Sequence, residues 1–148
     1  MIQGSCLCGN VRFELVQAAG PFELCHCTRC RKVTGGAFMA GLGVLRKDFT
    51  WISGKENIKF YDAPLLHNPP RYRVCFCASC GSPVPDPSAT SDWLELPAGL
   101  LDNNPELMPD KHIFIEHKAP WYTICDSLPQ LDEAAVRRDR IQANQTNT

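Results

Sequence analysis

The sequence lacks a long apolar run and an excess of charge of either sign. Its 148 residues carry 16 acidic and 15 basic side chains, which gives a formal net charge of −1. No stretch approaches the roughly 18 consecutive apolar residues of a membrane span, so we expect no membrane partner. The weak net charge provides no broad basic surface, so we do not expect a nucleic-acid partner. Residues 1–6 lack the charged and apolar segments of an export signal, so we expect a cytoplasmic protein.

Sequence patterns typical of helices are also scarce. Short alternating or apolar runs, which are typical of strands, occur at 10–16, 36–45, 49–52, 58–61, 71–74 and 112–116. Only residues 131–141 resemble a helix, because their acidic residues come early and their basic residues late, as the helix dipole favours. The patterns predict a small, mainly β fold with short connecting turns and a C-terminal helix. We expect one β domain over residues 1–130, followed by the helix and a flexible tail over 131–148.

Cysteine, in contrast, is abundant. Nine cysteines could form a secreted disulfide framework, but the number is odd and no export signal is present. Eight of them fall in three compact clusters, Cys6-Leu7-Cys8, Cys25-His26-Cys27-Thr28-Arg29-Cys30 and Cys75-Phe76-Cys77-Ala78-Ser79-Cys80. Gly9 and Gly81 directly follow a cysteine, where a tight turn requires a positive φ. This spacing is typical of thiolate ligands to zinc rather than of packed, reduced cysteines.

Eight clustered sulfur atoms allow two arrangements. They fit two closed four-sulfur sites, or one closed site and one open three-sulfur site with a spare cysteine. We prefer the second arrangement, in which Cys6 and Cys8 join Cys77 and Cys80 in a closed structural site. Cys25, Cys27 and Cys30 then form an open site. The competing hypothesis is that Cys75 or His26 completes this second site and makes it purely structural.

An open zinc site with three thiolates carries a net charge of −1 and acidifies bound water poorly. It suits an added thiol as the fourth ligand. Arg29, Arg31 and Lys32 are candidates to bind the carboxylates of an anionic thiol, although such a charge run is often only a solvated surface. His26 is the nearest acid–base candidate, and we expect it to be solvent-facing or hydrogen-bonded rather than a zinc ligand.

The same residues resemble a known family. The motifs are Gly-Ser-Cys-Leu-Cys-Gly-Asn-Val-Arg-Phe at 4–13, Cys-His-Cys-Thr-Arg-Cys-Arg-Lys at 25–32 and Phe-Cys-Ala-Ser-Cys-Gly-Ser at 76–82. In order and spacing they are similar to those of the glutathione-dependent formaldehyde-activating enzyme family, whose domain is shared with centromere protein V. Residues 112–129 also resemble the C-terminal segment of that family.

The resemblance implies a β-tent fold stapled by zinc. It also implies a structural zinc on Cys6, Cys8, Cys77 and Cys80, and a second zinc on Cys25, Cys27 and Cys30. The implied activity is that of a carbon–sulfur lyase, which makes or breaks the bond between the glutathione sulfur and the formaldehyde carbon. We therefore expect two zinc ions as cofactors and glutathione as co-substrate. Cys75 and Cys125 lie outside the ligand pattern of the family.

Two other functions remain open from the sequence. The chain could be a non-catalytic, zinc-stabilised binding module for a small thiol, a protein or nucleic acid. It could also be a sink for zinc or thiols. A closed second site favours the binding module, because it leaves no position for a reacting thiol.

Overall fold

The computed structural model describes residues 1–63 and 72–146, and within these ranges the chain forms eleven strands and two α-helices. The strands are β1 (Ile2–Ser5), β2 (Arg12–Leu15), β3 (Phe22–Cys25), β4 (Met39–Leu45), β5 (Phe49–Ser53), β6 (Ile58–Ala63), β7 (Tyr72–Cys77), β8 (Pro83–Val84), β9 (Trp93–Pro97), β10 (Lys111–Ile113) and β11 (Gln130–Leu131). The helices are α1 (Thr28–Thr34) and α2 (Glu133–Thr146). The predicted mainly β fold with a C-terminal helix is confirmed.

The chain divides into two compact units. Unit 1 comprises Met1–Gly20 and Leu42–Leu107, and unit 2 comprises Pro21–Gly41 and Met108–Thr148. Helix α2 is counted in unit 2, with the segment that carries the middle cysteine cluster. The predicted boundary at residue 130, between a β domain and a C-terminal helix with its tail, stays a prediction.

Unit 1 contains two three-stranded antiparallel sheets, with strand orders β1-β2-β5 and β6-β7-β8. The burial of strand β2 explains why polar and apolar residues alternate in its sequence. Arg12 is exposed, whereas Phe13 and Leu15 are buried. The Phe13 ring stacks on Phe49, with centroids 5.3 Å apart, and meets the Trp51 ring edge-on at 6.2 Å. Aromatic packing of this kind stabilises the sheet that carries the N-terminal cysteine pair.

In unit 2, β10 lies between β3 and β11 and is parallel to both. Val136 of α2 is 2 % exposed and belongs to the same buried cluster as Cys25, Cys30 and Ile113. Two ion pairs join α2 to these strands: Lys111 to Asp139 at 2.7 Å and Arg140 to Glu23 at 3.4 Å. The C-terminal helix therefore packs directly against the backbone that carries the middle cysteine cluster.

Three local expectations need correction. Helix α1 was not predicted, although the αL conformation of Gly35 that ends it is a common helix stop. The predicted strand at 112–116 ends at Ile113, because Phe114 adopts a positive φ of 56° and a short 3-10 turn follows. The C-terminal helix, predicted over 131–141, begins at Glu133, because Leu131 of β11 pairs with Ile113, and it continues to Thr146. Arg71, the first residue of one predicted strand, and residues 147–148 of the predicted tail lie outside the described residues.

Neither α1 nor α2, the helices of the described ranges, combines the length and apolar character of a membrane span.

Gly54 generates a stability prediction for unit 1. Its φ is 73°, and an added Cβ would lie 2.3 Å from the backbone oxygen of Asn10. We expect Gly54→Ala to lower the free energy of unfolding by about 3 kcal/mol, since the substitution adds a backbone clash to the cost of a left-handed conformation. The matched control is Gly9→Ala, at a φ of 73° with open space around the glycine. The control should cost only about 1 kcal/mol in denaturant unfolding followed by circular dichroism. Equal losses would contradict the proposed clash.

Candidate metal centres

The first cysteine cluster brings together sulfur atoms from two distant parts of unit 1. The sulfur atoms of Cys6, Cys8, Cys77 and Cys80 all lie within 4.8 Å of one another. The Cys6 and Cys8 sulfurs are 3.5 Å apart, and those of Cys8 and Cys77 are 3.8 Å apart. Zinc–sulfur bonds of about 2.3 Å in a tetrahedron give sulfur–sulfur edges of about 3.8 Å. The four sulfurs therefore have the spacing that a tetrahedral zinc requires.

Two similar turns build this cluster. In the first, the N–H of Gly9 donates to the carbonyl of Cys6 at 2.9 Å, and the N–H of Cys6 donates to the carbonyl of Val11 at 3.0 Å. In the second, the N–H of Gly81 donates to the carbonyl of Cys77 at 2.8 Å. Both glycines have the predicted positive φ, 73° at Gly9 and 77° at Gly81. The glycines let each turn close so that its two sulfurs face one point.

Polar groups around the first cluster favour thiolates. The N–H of Val11 donates to the Cys6 sulfur at 3.3 Å, and the side-chain amide of Asn57 donates to the Cys77 sulfur at 3.6 Å. Hydrogen bonding with Ser82 lowers the pKa of Cys80 to about 5, whereas hydrogen bonding with Cys6 raises that of Cys8 to about 11. Thiolates are the form that binds zinc, so the donor chemistry fits this metal as well as the distances do.

The middle cluster contains three sulfur atoms. Those of Cys25, Cys27 and Cys30 lie within 4.8 Å of one another. Cys25 ends strand β3, and Cys27 is the extended N-cap residue of α1. The N–H of Cys30 donates to the Cys27 sulfur at 3.4 Å. Because alternate residues of an extended backbone point to the same side, Cys25 and Cys27 face the same point, and the first turn of α1 adds Cys30.

The three sulfurs compete for negative charge. Hydrogen bonds from Cys25 and then from Cys30 hold the pKa of Cys27 well below its ordinary value. Hydrogen bonding to Cys27 raises the pKa of Cys25, and hydrogen bonding to Cys25 and Cys27 raises that of Cys30. Three thiolates this close, two of them buried, repel one another unless a cation lies between them. The middle cluster therefore fits a soft divalent metal such as zinc, with one tetrahedral position left over.

His26 lies between Cys25 and Cys27 in the sequence, but its ring nitrogens do not belong to the set of close ligand atoms that the sulfurs form. Its ring is fully buried, so the expected solvent-facing position is wrong and the expected hydrogen bond is present. His26 Nε2 lies 2.8 Å from His112 Nδ1, and the ring is flanked by Phe38 and Tyr122 with centroids at 5.4 and 5.9 Å. Burial lowers the pKa of His26 and favours its neutral form.

The predicted carboxylate-binding residues all lie on α1. Lys32 is exposed, whereas Arg29 and Arg31 are half-buried. Within the described ranges, Arg31 Nε is buried without a hydrogen-bond partner. A buried guanidinium nitrogen of this kind can accommodate an anionic group, because its donor is already removed from water.

Two cysteines join neither cluster among the described residues. Cys75 is buried on β7, and Cys125 is exposed. Among the described residues, neither Cys75 nor His26 therefore belongs to the set of ligand atoms within 4.8 Å of one another at the middle cluster. The assignment of zinc ligands stays a proposal.

Sequence reasoning did not single out two residues near the middle cluster. His112, fully buried on β10, hydrogen-bonds His26, and its Nε2 lies 3.0 Å from the Asp126 carboxylate. Both residues fall in the C-terminal stretch on which the resemblance was noted. No spacing rule links them to residue 26, because the three are brought together only by the parallel pairing of β3 with β10.

Fold and site together define a class: a small, mainly β protein with one four-sulfur and one three-sulfur cluster suited to zinc. The sequence profile of the glutathione-dependent formaldehyde-activating enzyme family matches residues 1–117. A Halomonas elongata protein with the provisional name of glutathione-dependent formaldehyde-activating enzyme is 33% identical over 133 residues, covering 84% of this chain and 81% of its own. The chain belongs to the glutathione-dependent formaldehyde-activating enzyme family, as the motifs predicted.

A solved structure is also similar. The crystal structure of a Rhodobacter sphaeroides protein, a structural genomics target, has a TM-score of 0.49 and 23% sequence identity to this chain, and the match covers 70% of this chain and 91% of that one. The match to the family profile ends at residue 117, whereas the match to the Halomonas elongata protein covers 84% of the chain and therefore extends beyond that residue.

Two buried cysteines on β7 provide a matched test of the first centre. We expect Cys77→Ser to lose one bound zinc per chain and to lower the free energy of unfolding by several kcal/mol, since a structural zinc contributes its binding energy to folding. Cys75→Ser should keep the metal content of the parent, because its sulfur belongs to neither cluster. Metal content by elemental analysis and denaturant unfolding are the measurements. Loss of zinc from the Cys75 variant alone would contradict the assignment.

Proposed function

We propose that this chain is a zinc-dependent carbon–sulfur lyase-type enzyme that makes or breaks the bond between the sulfur of glutathione and the carbon of formaldehyde or another small electrophile. The observation that carries the proposal is the contrast between the clusters, one with four sulfurs and one with three. A four-sulfur zinc site is closed and structural, whereas a three-ligand site leaves a position for a substrate. The family and the name of the Halomonas elongata relative support glutathione and formaldehyde as the reactants.

The cysteines of the middle cluster would hold the metal as Cys25, Cys27 and Cys30 thiolates. Zinc bound there would supply positive charge that favours the thiolate form of an added thiol. The backbone N–H of Cys30 already stabilises negative charge on the Cys27 sulfur. With two such ions per chain, the first centre would stabilise the fold and the second would orient the reacting thiol.

The reaction itself needs few groups. The glutathione thiol releases its proton to solvent, and the thiolate sulfur donates an electron pair to the carbonyl carbon of formaldehyde. A carbon–sulfur bond forms while the carbonyl π bond breaks, and the carbonyl oxygen takes a proton to become a hydroxyl group. The reverse reaction removes that proton and breaks the same bond. His26, the acid–base candidate from the sequence, is fully buried and hydrogen-bonded to His112. We therefore propose that solvent supplies the proton and that the chain contributes by positioning the thiol.

Helix α1 offers a place for the rest of glutathione. The tripeptide carries two carboxylates. Arg29 lies within the middle cluster, and Arg31 and Lys32 follow it directly. The buried Arg31 Nε, unpartnered within the described residues, is the best-placed donor for one of these carboxylates. A reaction with cellular glutathione would place the protein in a reducing compartment such as the cytoplasm.

The first test of the open site is a glutathione titration of protein loaded with cobalt in place of zinc. We expect glutathione to increase the sulfur-to-cobalt charge-transfer absorption in the parent, because its thiolate adds a ligand to the middle centre. The matched control, Cys27→Ser, should bind one cobalt fewer and show no increase. Two bound ions with no response to glutathione would indicate two closed centres, and the non-catalytic binding module would become the better hypothesis.

The contribution of α1 can be tested separately. We expect Arg31→Gln to weaken glutathione binding about five- to tenfold by removing one charge-assisted hydrogen bond. Lys32→Gln, which changes an exposed cation on the same helix, should weaken binding no more than about twofold. Isothermal titration of the zinc-loaded variants gives both dissociation constants. Equal effects of the two substitutions would show that only general charge matters.

A further inference from the structure

The middle cluster is connected to a surface carboxylate by a chain of three side chains. Asp126, with a side chain 46 % exposed, contacts Nε2 of the fully buried His112 through both carboxylate oxygens, at 3.0 and 3.1 Å. His112 Nδ1 in turn lies 2.8 Å from His26 Nε2. His26 is the one residue between Cys25 and Cys27. The two histidines are fully enclosed, so this chain of hydrogen bonds is protected from competition by water.

The hydrogen bond at the surface end of this chain has a defined direction. The backbone N–H of Leu128 and then His112 hold the pKa of Asp126 below its ordinary value, so its carboxylate is ionised and only accepts. His112 Nε2 must therefore carry a hydrogen. The other ring nitrogen of His112, Nδ1, pairs with Nε2 of His26. Asp126 thus fixes the orientation of the His112 ring, and His112 fixes that of the His26 ring.

The backbone of residue 26 is held as well. Its N–H donates to the carbonyl of Ile113 at 3.0 Å, which continues the parallel pairing of β3 with β10. The His26 side chain is hydrogen-bonded to His112, which lies on the same strand β10. Along an extended backbone the side chain of residue 26 points away from those of its two neighbours. The ring therefore acts as an anchor on the side opposite the two sulfurs.

We propose that Asp126 and His112 are positioning residues, which hold His26 and through it fix the two cysteines on either side in the geometry that the metal requires. The inference rests on the proposed metal site of Cys25, Cys27 and Cys30. Asp126 lies beyond residue 117, where the family match ends, so the network includes a part of the chain outside that match. Outer groups that orient metal ligands commonly change metal affinity by about 10- to 100-fold.

The proposal is tested with two substitutions of His112 that differ in whether they can hydrogen-bond His26. His112→Phe keeps an aromatic ring and removes the hydrogen-bond partner of His26. His112→Asn places a side-chain amide near the position of Nδ1, and because an amide both donates and accepts, it can restore a partner. We expect His112→Phe to weaken binding of the middle cobalt ion about tenfold and to change its absorption spectrum, and His112→Asn to recover most of the affinity.

Two comparisons separate positioning from a general loss of folding. Binding of cobalt by Cys6, Cys8, Cys77 and Cys80 should stay unchanged in both variants, which makes the first centre an internal control. Asp126→Ala, at an exposed side chain, should weaken the middle ion in the same direction but by less. Equal affinity and an identical cobalt spectrum in the parent and all three variants would overturn the inference and leave the proposed function standing.

Nitrogen-15 spectra of the histidine rings give a measurement that needs no metal. In the parent, the Nε2 signal of His26 should be that of a hydrogen-bonded nitrogen, and this signature should be lost in His112→Phe. If the parent binds no metal ion at the middle cluster, the proposed function is wrong. The ring spectra then test the hydrogen bonds between Asp126, His112 and His26 by themselves. Ring signals of His26 that are the same in the parent and His112→Phe would overturn the inference.

Discussion

Negative charge concentrated on a few sulfur atoms is the interaction on which both centres depend. Thiolates held less than 5 Å apart repel one another, and only a cation or shared protons relieve the repulsion. The backbone brings the sulfurs together in spite of this, through turns closed by hydrogen bonds and glycines at Gly9 and Gly81. A fold that concentrates charge in this way favours a bound cation, so metal binding at these clusters would be thermodynamically linked to folding.

The two centres use this constraint differently. The first joins turns that are about 70 positions apart in the sequence, so that a bound ion would close a long loop and reduce the freedom of the unfolded chain. The second takes all three sulfurs from one short segment, where Cys25 ends a strand and Cys27 begins a helix. A local site closes no long loop, and its three donors leave a position for another ligand. This difference underlies the roles proposed for the two centres, stability for the first and chemistry for the second.

The surroundings of the second centre explain how a short segment is held in place. Helix α2 contributes Val136 to the buried cluster around Cys25 and Cys30, and two ion pairs join the helix to β3 and β10. His26 gives the same segment a buried polar anchor on its other side. Packing limits the movement of the backbone, and the hydrogen bonds fix its orientation. Segments late in the sequence therefore support a site whose proposed ligands all come early.

The sequence alone determined the parts that depend on local chemistry. The spacing of the cysteines predicted three compact clusters, and glycine after a cysteine predicted the left-handed turns at Gly9 and Gly81. Alternation along β2 predicted its buried and exposed faces. These features depend on residues within a few positions of one another, where stereochemistry leaves few choices. The family followed from the same motifs.

The tertiary structure decided what local patterns do not contain. Helix α1 has only seven residues, which is too short for a helical period to be visible in the sequence, and it overlaps the cysteine motif. The burial of His26, and its connection to His112 and Asp126, arise from the parallel pairing of strands that are almost 90 positions apart. The sequence placed sulfur beside sulfur because neighbours along the chain remain neighbours in space. Only long-range packing could enclose the histidines and join them to a carboxylate, because no local rule specifies which distant strands will pair.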